Sequence, residues 1–478
     1  MYLGDIMKIL FCSPEVYPFS KIGGVADFSE SLPKAISKLN NTIYVVSPYY
    51  QIVRDNFSNE MQLLGERTIN LGNEDLIAKY YRTIKDGIHY FFVSHEYFDR
   101  KYFFNHNDDI NRFMFFNLAI LELLRLIKFY PNVIHVNDWT TSLVPYYLTT
   151  YYNKFDEFKN IKTLLTIHNL EKQGAFPKEN EYLFHTKNFT YMHLDNINFL
   201  KTGIMRANKI NTVSNSYKSE ILTKFFGFSL DGALKSRQLD LVGIQNGLDF
   251  NRFNPEIDKH IYKKYNINNI IEGKKINKEA FIKEHNLKND KLLVSFVSRF
   301  AKEKGVGLIM DIIEDLLKDD LINFVVIGEG DIQFEMFCEE LETKFPNNFK
   351  YFNKHNFEHS QKITAASDLM LLPSLYEASG LNQMIAMRYG TIPLVRNTGG
   401  LKDTVIDIDE LNFTGTGIKF ENFDDEELKD AILRALNYYN NNKKLWNHII
   451  LNAASIDNDI NKMANEYNNL YKEMINEK

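Results

Sequence analysis

The stretch Met7–Ser47, MKILFCSPEVYPFSKIGGVADFSESLPKAISKLNNTIYVVS, decides the fold. Its first seven residues form a short apolar run that reads as a buried strand. A glycine turn follows at Lys21, Ile22, Gly23 and Gly24. Apolar residues then recur at helical spacing through Phe28, Leu32, Ala35 and Leu39, and Ile43–Ser47 reads as a second strand. Strand, loop, helix and strand in this order make a β-loop-α-β unit.

The same alternation runs outward from that unit. Strand-like runs lie at His89–Val93, Val133–Val136, Thr163–Ile167 and Lys209–Val213, with helical patterns between several of them. Such alternation builds a mostly parallel sheet covered on both faces. Near Asn246–Pro255 the composition turns to Asn, Gly and Pro, which reads as a linker with Gly247 as its hinge. The pattern restarts with a strand at Lys291–Ser298, a helix at Gly305–Leu317 and strands at Asn323–Ile327, Asp368–Leu372 and Thr391–Val395. The expected class is therefore α/β, with two doubly wound Rossmann-like domains. The expected domains are 1–246, 247–455 and a C-terminal helix over 456–478 packing back on the first.

Bulk composition narrows the function. The chain has 478 residues, too many for one ordinary core, and its 44% hydrophobic and 25% charged content is that of a globular protein. A net charge of −6 excludes a broadly basic nucleic-acid binder, so any anion site must be a local cluster of Lys and Arg. Cys12 and Cys338 stand far apart and in no metal spacing, which points to reduced thiols in the cytoplasm. Residues Met1–Asp5 lack the basic start of a signal peptide. The long apolar stretch Phe113–Phe129 carries Glu122, Arg125 and Lys128, so it reads as an amphipathic helix and not a membrane span.

Polar residues directly after buried strands sit where doubly wound sheets bind ligands. Lys21 with Gly23 and Gly24 could hold a phosphate, although neither a G-x-G-x-x-G nor a Walker loop is present. Asp138 follows VIHV and His168 follows LLTI; as alternatives, Asp138 could cap a helix and His168 could be a locally satisfied core histidine. Arg299 and Lys304, in SRFAKEKG, could converge on a pyrophosphate and stabilise its charge as it leaves. The run Pro373–Val405, PSLYEASGLNQMIAMRYGTIPLVRNTGGLKDTV, sets one acid, Glu377, between two glycine-bearing loops. Those loops are expected to offer free backbone amides to an anion, with Glu377 on sugar hydroxyls. The pairs Asp407 with Asp409 and Asp457 with Asp459 have no supporting ligands for a metal.

Taken in order, KIGGVADFSESLP, RFMFFNLAILE, HVNDWTTSLVP, TIHNLEKQGAF, LKTGI, NTVSNSY, GIQNGLDFNRFNP, SRFAKEKG, IGEGD and the run from Pro373 cover nearly the whole chain. Together they resemble the bacterial glycogen synthase and plant starch synthase family, which has the GT-B fold of two Rossmann-like domains facing across a cleft. The resemblance implies retaining transfer of glucose from a nucleotide sugar, ADP-glucose or UDP-glucose, to the non-reducing end of an α-1,4-glucan. It implies no metal or other cofactor, no nucleic acid and no membrane partner. Glu377, Lys304, Arg299, His168 and Asp138 match the family's catalytic positions. Lys21, Gly23, Gly24, Asn246, Ser379, Gly380, Leu381, Thr398, Gly399 and Gly400 match its substrate-binding positions.

Within the resemblance, Lys21 lies beside the donor phosphates and acceptor, Arg299 and Lys304 on the diphosphate, and Glu377 beside the transferred glucose. Asp138 and His168 hold that glucose and its 6-hydroxyl. The chain departs from the family at Glu-Ala-Ser-Gly, where Ser379 replaces the usual Cys, which should tune activity and not abolish it. Ile22 and Val25 replace Thr and Leu, Ile385 stands where wider GT-B enzymes carry a second Glu, and Asp459-Ile460 replaces a Ser-Trp pair before the last helix. Two alternatives share the fold: a phosphorylase, which would need a pyridoxal phosphate lysine site, and a non-catalytic glucan-binding homologue. All four of Lys21, Arg299, Lys304 and Glu377 are retained, which weighs against the second.

Overall fold

A computed structural model describes residues 6–184, 189–354 and 356–477. The N-terminal residues weighed as a signal peptide, Met1–Asp5, lie outside them. The chain divides into two compact units, Met1–Gln245 with Ile460–Lys478, and Asn246–Asp459.

In the first unit the strands are β1 (Lys8–Cys12), β2 (Thr42–Pro48), β3 (Gln62–Leu71), β4 (Glu74–Lys85), β5 (Ile88–Ser94), β6 (Val133–Asn137), β7 (Lys162–Ile167), β8 (Ala175–Pro177), β9 (Met192–His193), β10 (Asn196–Asn198), β11 (Lys209–Thr212) and β12 (Leu241–Gly243). Among the described residues nine of them form one sheet in the order β12-β11-β7-β6-β1-β2-β5-β4-β3, and β8-β10-β9 form a small antiparallel one. From β12 to β5 every pairing is parallel. The opening stretch folds as read, with the helix Gly24–Ser37 between β1 and β2.

Two features of this unit depart from the sequence reading. β3 and β4 form an antiparallel hairpin at the sheet edge, paired from Gln62 with Arg82 to Leu71 with Glu74. The other correction concerns the stretch Phe113–Phe129. Residues 113–127 of it lie in the helix Asp109–Ile127, which is buried over most of its surface and is not a two-faced surface helix. Arg112 is fully buried there, ion-paired to Asp109 and donating to the carbonyls of Tyr97 (2.8 Å) and Phe103 (3.1 Å). Those bonds offset most of the cost of burying the charge, with Nη2 left unpartnered among the described residues. No helix among the described residues is long and apolar enough to cross a membrane.

The helix Ile460–Asn476 belongs to the first unit and packs against the helix Gly24–Ser37. Its buried residues Ile460, Met463, Ala464, Tyr467, Tyr471 and Met474 recur at helical spacing. Two of its tyrosines reach the sheet. The Tyr471 hydroxyl and His135 Nδ1 share a hydrogen bond of 2.7 Å, and Asn211 Nδ2 donates to the Tyr467 hydroxyl at 2.7 Å. His135 Nε2 lies 2.5 Å from Thr166 Oγ1, so both ring nitrogens are engaged at full burial. Burial also holds this imidazole well below its usual pKa, hence neutral. Tyr471→Phe should therefore leave a buried imidazole nitrogen unpartnered and cost about 1–3 kcal/mol in urea unfolding. An unchanged midpoint would show that the bond contributes nothing.

The second unit holds β13 (Leu292–Val297), β14 (Ile322–Gly328), β15 (Phe349–Asn353), β16 (Leu369–Leu372), β17 (Ile392–Arg396) and β18 (Ile418–Phe420). Among the described residues they form one parallel sheet in the order β15-β14-β13-β16-β17-β18. Leu292, Val294 and Phe296 join the core on one face, while Leu293 and Val297 join the core on the other. The period of two places both faces under helices, which is why β13 reads as an unbroken apolar run. The chain enters and leaves this unit side by side, with Leu248 N–H donating to the Asn458 carbonyl at 2.7 Å.

Candidate active site

In the first unit three loops follow neighbouring strands β1, β6 and β7 at their carboxyl ends. The loop after β1 carries Lys21, Gly23 and Gly24. Lys21 Nζ pairs with Asp27 at 2.7 Å, on the first turn of the following helix, and lies 5.8 Å from the Tyr17 ring centroid. The loop is organised by Glu15, which the sequence reading passed over. The Glu15 carboxylate accepts from the Ile22 amide and, at 3.2 Å, from the Gly23 amide. Those two amides therefore do not stand free for a phosphate, which corrects the expectation for this turn. The only sequence signal for Glu15 is a lone acid between a buried strand and a glycine turn.

Glu15 is 4% exposed, and burial pushes its carboxyl up to about 7 against the opposing pull of the two amides. A carboxyl whose folded pKa is raised stabilises the fold most where it is protonated in both states. That contribution is lost as pH rises from about 4.5 to about 7. Glu15→Gln removes the titration, so its stability relative to the unchanged protein should rise between pH 5 and pH 8 by about 2–3 kcal/mol. A stability difference independent of pH would exclude this assignment.

Asp138 and His168 stand together at the ends of β6 and β7. Asp138 adopts φ 53°, a left-handed conformation that Asp tolerates better than most side chains. Its carboxylate accepts from the backbone amides of His168 (2.8 Å) and Asn169 (3.3 Å), so it ties the end of β7 to the end of β6. It is not a helix cap; Asn137 occupies that position and makes no side-chain cap bond. Burial raises the Asp138 carboxyl to about 7 and lowers the His168 imidazole to about 3. His168 Nε2 meets Asn137 Oδ1 at 2.9 Å, and the Phe28 ring packs edge-on against the imidazole at 4.7 Å. Trp139, next to Asp138, packs against Phe113 with centroids 4.7 Å apart and lies over Gly174.

In the second unit the loops after β13, β16 and β17 meet. Lys304 Nζ donates to Glu377 Oε2 at 2.6 Å, and Ser374 Oγ donates to the same oxygen at 3.2 Å. Lys304 and Glu377 are largely but not wholly buried, at 21% and 16% side-chain exposure, so the pair can still reach a ligand. The Arg299 side chain is 66% exposed and faces Glu303 at 3.7 Å. The acid loop is braced from behind by Arg396, which donates to the carbonyls of Ser374 (2.7 Å) and Leu375, while Leu375 N–H donates to the Glu303 carbonyl at 2.9 Å. Neither Ser374 nor Arg396 was singled out in the sequence. Both are ordinary residue types at strand ends, and only the fold reveals their targets.

The glycines of the two loops serve contact as much as ligand access. Gly400 N–H donates to the Glu377 carbonyl at 3.0 Å, so this amide too is engaged internally. A Cβ on Gly400 would lie 2.2 Å from the Ser379 carbonyl oxygen, a clash with backbone. Gly400→Ala should therefore push the Glu377 loop away and cost about 1–3 kcal/mol in denaturant unfolding, as overpacking does elsewhere. Wild-type stability would contradict that packing. Gly380 sits at φ 69°, beside the buried Gln383, whose amide nitrogen donates to the carbonyls of Ser379 (2.9 Å) and Gly380 (3.2 Å). Ser379 is buried, Leu381 packs on the core beside it, and Thr398 precedes the short helix Gly399–Thr404. Asn246 opens the second unit with a buried Oδ1 that has no hydrogen-bond partner among the described residues.

The acidic pairs have other occupations. Asp407 is bonded to Arg434 at 3.1 Å and to the Lys419 amide at 2.8 Å, Asp409 caps the turn at Leu411 and Asn412, and Asp457 accepts from the Asp459 amide.

Residues 8–236 match the starch synthase catalytic domain family, and residues 277–453 match glycosyl transferases group 1. A glycogen synthase of Acholeplasma laidlawii is 43% identical, over 99% of this chain and 100% of its own length. One from Thermosipho melanesiensis is 38% identical, with the same two coverages. The catalytic domain of starch synthase IV from Arabidopsis thaliana, solved bound to ADP and acarbose, superposes with a TM-score of 0.91 at 28% identity, over 99% of this chain and 100% of that one. Fold and matches together define a glycosyltransferase of the GT-B class. The chain belongs to the glycogen synthase family, and its activity is glucosyl transfer in glycogen synthesis.

Proposed function

We propose that the enzyme transfers glucose from ADP-glucose to the 4-hydroxyl at the non-reducing end of an α-1,4-glucan, with retention at the anomeric carbon. The observation that carries this reading is the Lys304–Glu377 pair at 2.6 Å, partly exposed beside the glycine turn at Gly399 and Gly400. It puts a cation for a departing diphosphate next to an acid for sugar hydroxyls. The starch synthase IV domain was solved with ADP, which favours the adenine nucleotide as donor here.

The chemistry uses these groups directly. The bond from C1 to the diphosphate oxygen breaks, and positive charge grows on the sugar as negative charge grows on the phosphate. Lys304 and Arg299 answer the phosphate charge, and Glu377 sits beside the glucose. The acceptor oxygen bonds to C1 from the face the diphosphate leaves, and its proton passes to a diphosphate oxygen. Asp138 and His168 orient the glucose and its 6-hydroxyl, while Lys21 serves the phosphates and the acceptor. A cytoplasmic location suits the two free, buried thiols, Cys12 and Cys338.

Purified protein incubated with glycogen and radiolabelled ADP-glucose or UDP-glucose tests the reading. Label should enter polymer faster from ADP-glucose and be released by enzymes that cleave α-1,4 links. Absence of label from both donors would refute the synthase, and a preference for UDP-glucose would refute the donor assignment.

A further inference from the structure

We propose that Asn137 is a positioning residue that fixes His168 as the Nε2–H tautomer and so presents Nδ1 as a hydrogen-bond acceptor to the substrate. The proposal rests on the reading that His168 touches the transferred sugar. Nothing in that reading specifies which ring nitrogen carries the proton.

The tautomer follows from three contacts. Asn137 Nδ2 lies 2.9 Å from the Cys12 carbonyl oxygen, which can only accept. The amide nitrogen must face that carbonyl, because the opposite rotamer would set two oxygens against each other. The amide oxygen is thereby turned to His168, 2.9 Å from Nε2. An amide oxygen cannot donate, so Nε2 must carry the hydrogen. Burial drives this imidazole down to about 3, so near neutral pH it holds one proton and not two. Nδ1 therefore carries a lone pair, and it has no hydrogen-bond partner among the described residues.

Asn137 is itself held rigidly. It is fully buried at the end of β6, and its backbone amide donates to Thr141 Oγ1 at 2.7 Å. The next residue, Asp138, grips the backbone amide of the same histidine. Consecutive side chains thus fix His168 twice, one through the main chain and one through the ring. An acceptor nitrogen selects a donor, and a sugar hydroxyl is a donor that a protonated nitrogen would leave only its lone pairs to meet. The sequence held no visible hint, since an asparagine between a valine and an aspartate reads as part of a strand end.

Long-range proton–nitrogen correlation spectra of the full chain, labelled at histidine nitrogens, test the assignment directly. The His168 signals are identified by their loss in His168→Ala. In the unchanged protein near neutral pH, Nε2 should be protonated and Nδ1 bare. A protonated Nδ1, or an even mixture, would overturn the proposal. Asn137→Ala should release the ring into a tautomer mixture and lower kcat/KM for the donor about tenfold, the scale of one hydrogen bond. A locked Nε2–H tautomer with unchanged kcat/KM in Asn137→Ala would also overturn it. Near-normal turnover of His168→Ala would overturn the sugar contact alone, because the spectrum of the unchanged protein still reports the tautomer.

Discussion

Glu377→Ala is expected to lower kcat by about two orders of magnitude or more while the protein stays folded. The fold should survive because the residue's structural bonds are made by its backbone. Its carbonyl still accepts from Gly400, and the flanking loop is still held by Arg396 and by the amide of Leu375. What disappears is the carboxylate that lies 2.6 Å from Lys304. A charge placed in advance, in a partly dehydrated loop, acts without reorganising at the moment of reaction. The carboxylate also fixes where the lysine points, so its removal loosens the cation as well. Initial rates at saturating donor, with circular dichroism to verify folding, decide the matter. Turnover within a few-fold of normal would remove Glu377 from the mechanism.

Lys304→Ala is expected to lower kcat/KM by roughly 30-fold to 1,000-fold, equivalent to about 2–4 kcal/mol of transition-state stabilisation. The lysine sits in a short helical turn just before Gly305, whose φ of 78° brings that backbone against Pro373. This turn sets the ammonium beside the acid loop. The double variant with Glu377→Ala should cost less than the two single losses added together, because each residue positions the other. Lys304→Arg should recover only part of the loss, since a planar guanidinium does not replace a compact ammonium held at one oxygen. Unchanged kcat/KM in Lys304→Ala would contradict the role, and strict additivity would contradict the coupling.

Much of the architecture was legible because parallel strands buried on both faces are written as continuous apolar runs. β1, β6, β7, β13 and β14 all read this way, and each ends at a polar or glycine-bearing loop. The hairpin of β3 and β4 was not legible: it lies at a sheet edge, and its charged, exposed positions carry no unbroken apolar signal. The helix Asp109–Ile127 misled for the opposite reason. The charges Glu122, Arg125 and Lys128 suggest an open face, yet the helix is buried over most of its surface and Arg125 pairs with Glu122.

At the site, the residue types and their places after strands could be read, but their partners could not. Lys304 next to Glu377 brings together positions 73 residues apart. Glu15 behind the Ile22 and Gly23 amides, and Asn137 between Cys12 and His168, depend on which strands lie side by side. The glycines illustrate the limit best. In the sequence Gly23 and Gly400 read as openings for a ligand, but the first gives its amide to the Glu15 carboxylate and the second to the Glu377 carbonyl.

A crystal structure of the enzyme with ADP bound tests the central chemical claim most directly. Lys304 Nζ and the Arg299 guanidinium should both lie within about 2.7–3.2 Å of diphosphate oxygens, with Glu377 still beside Lys304. A diphosphate bound elsewhere in the second unit, touching neither cation, would contradict it.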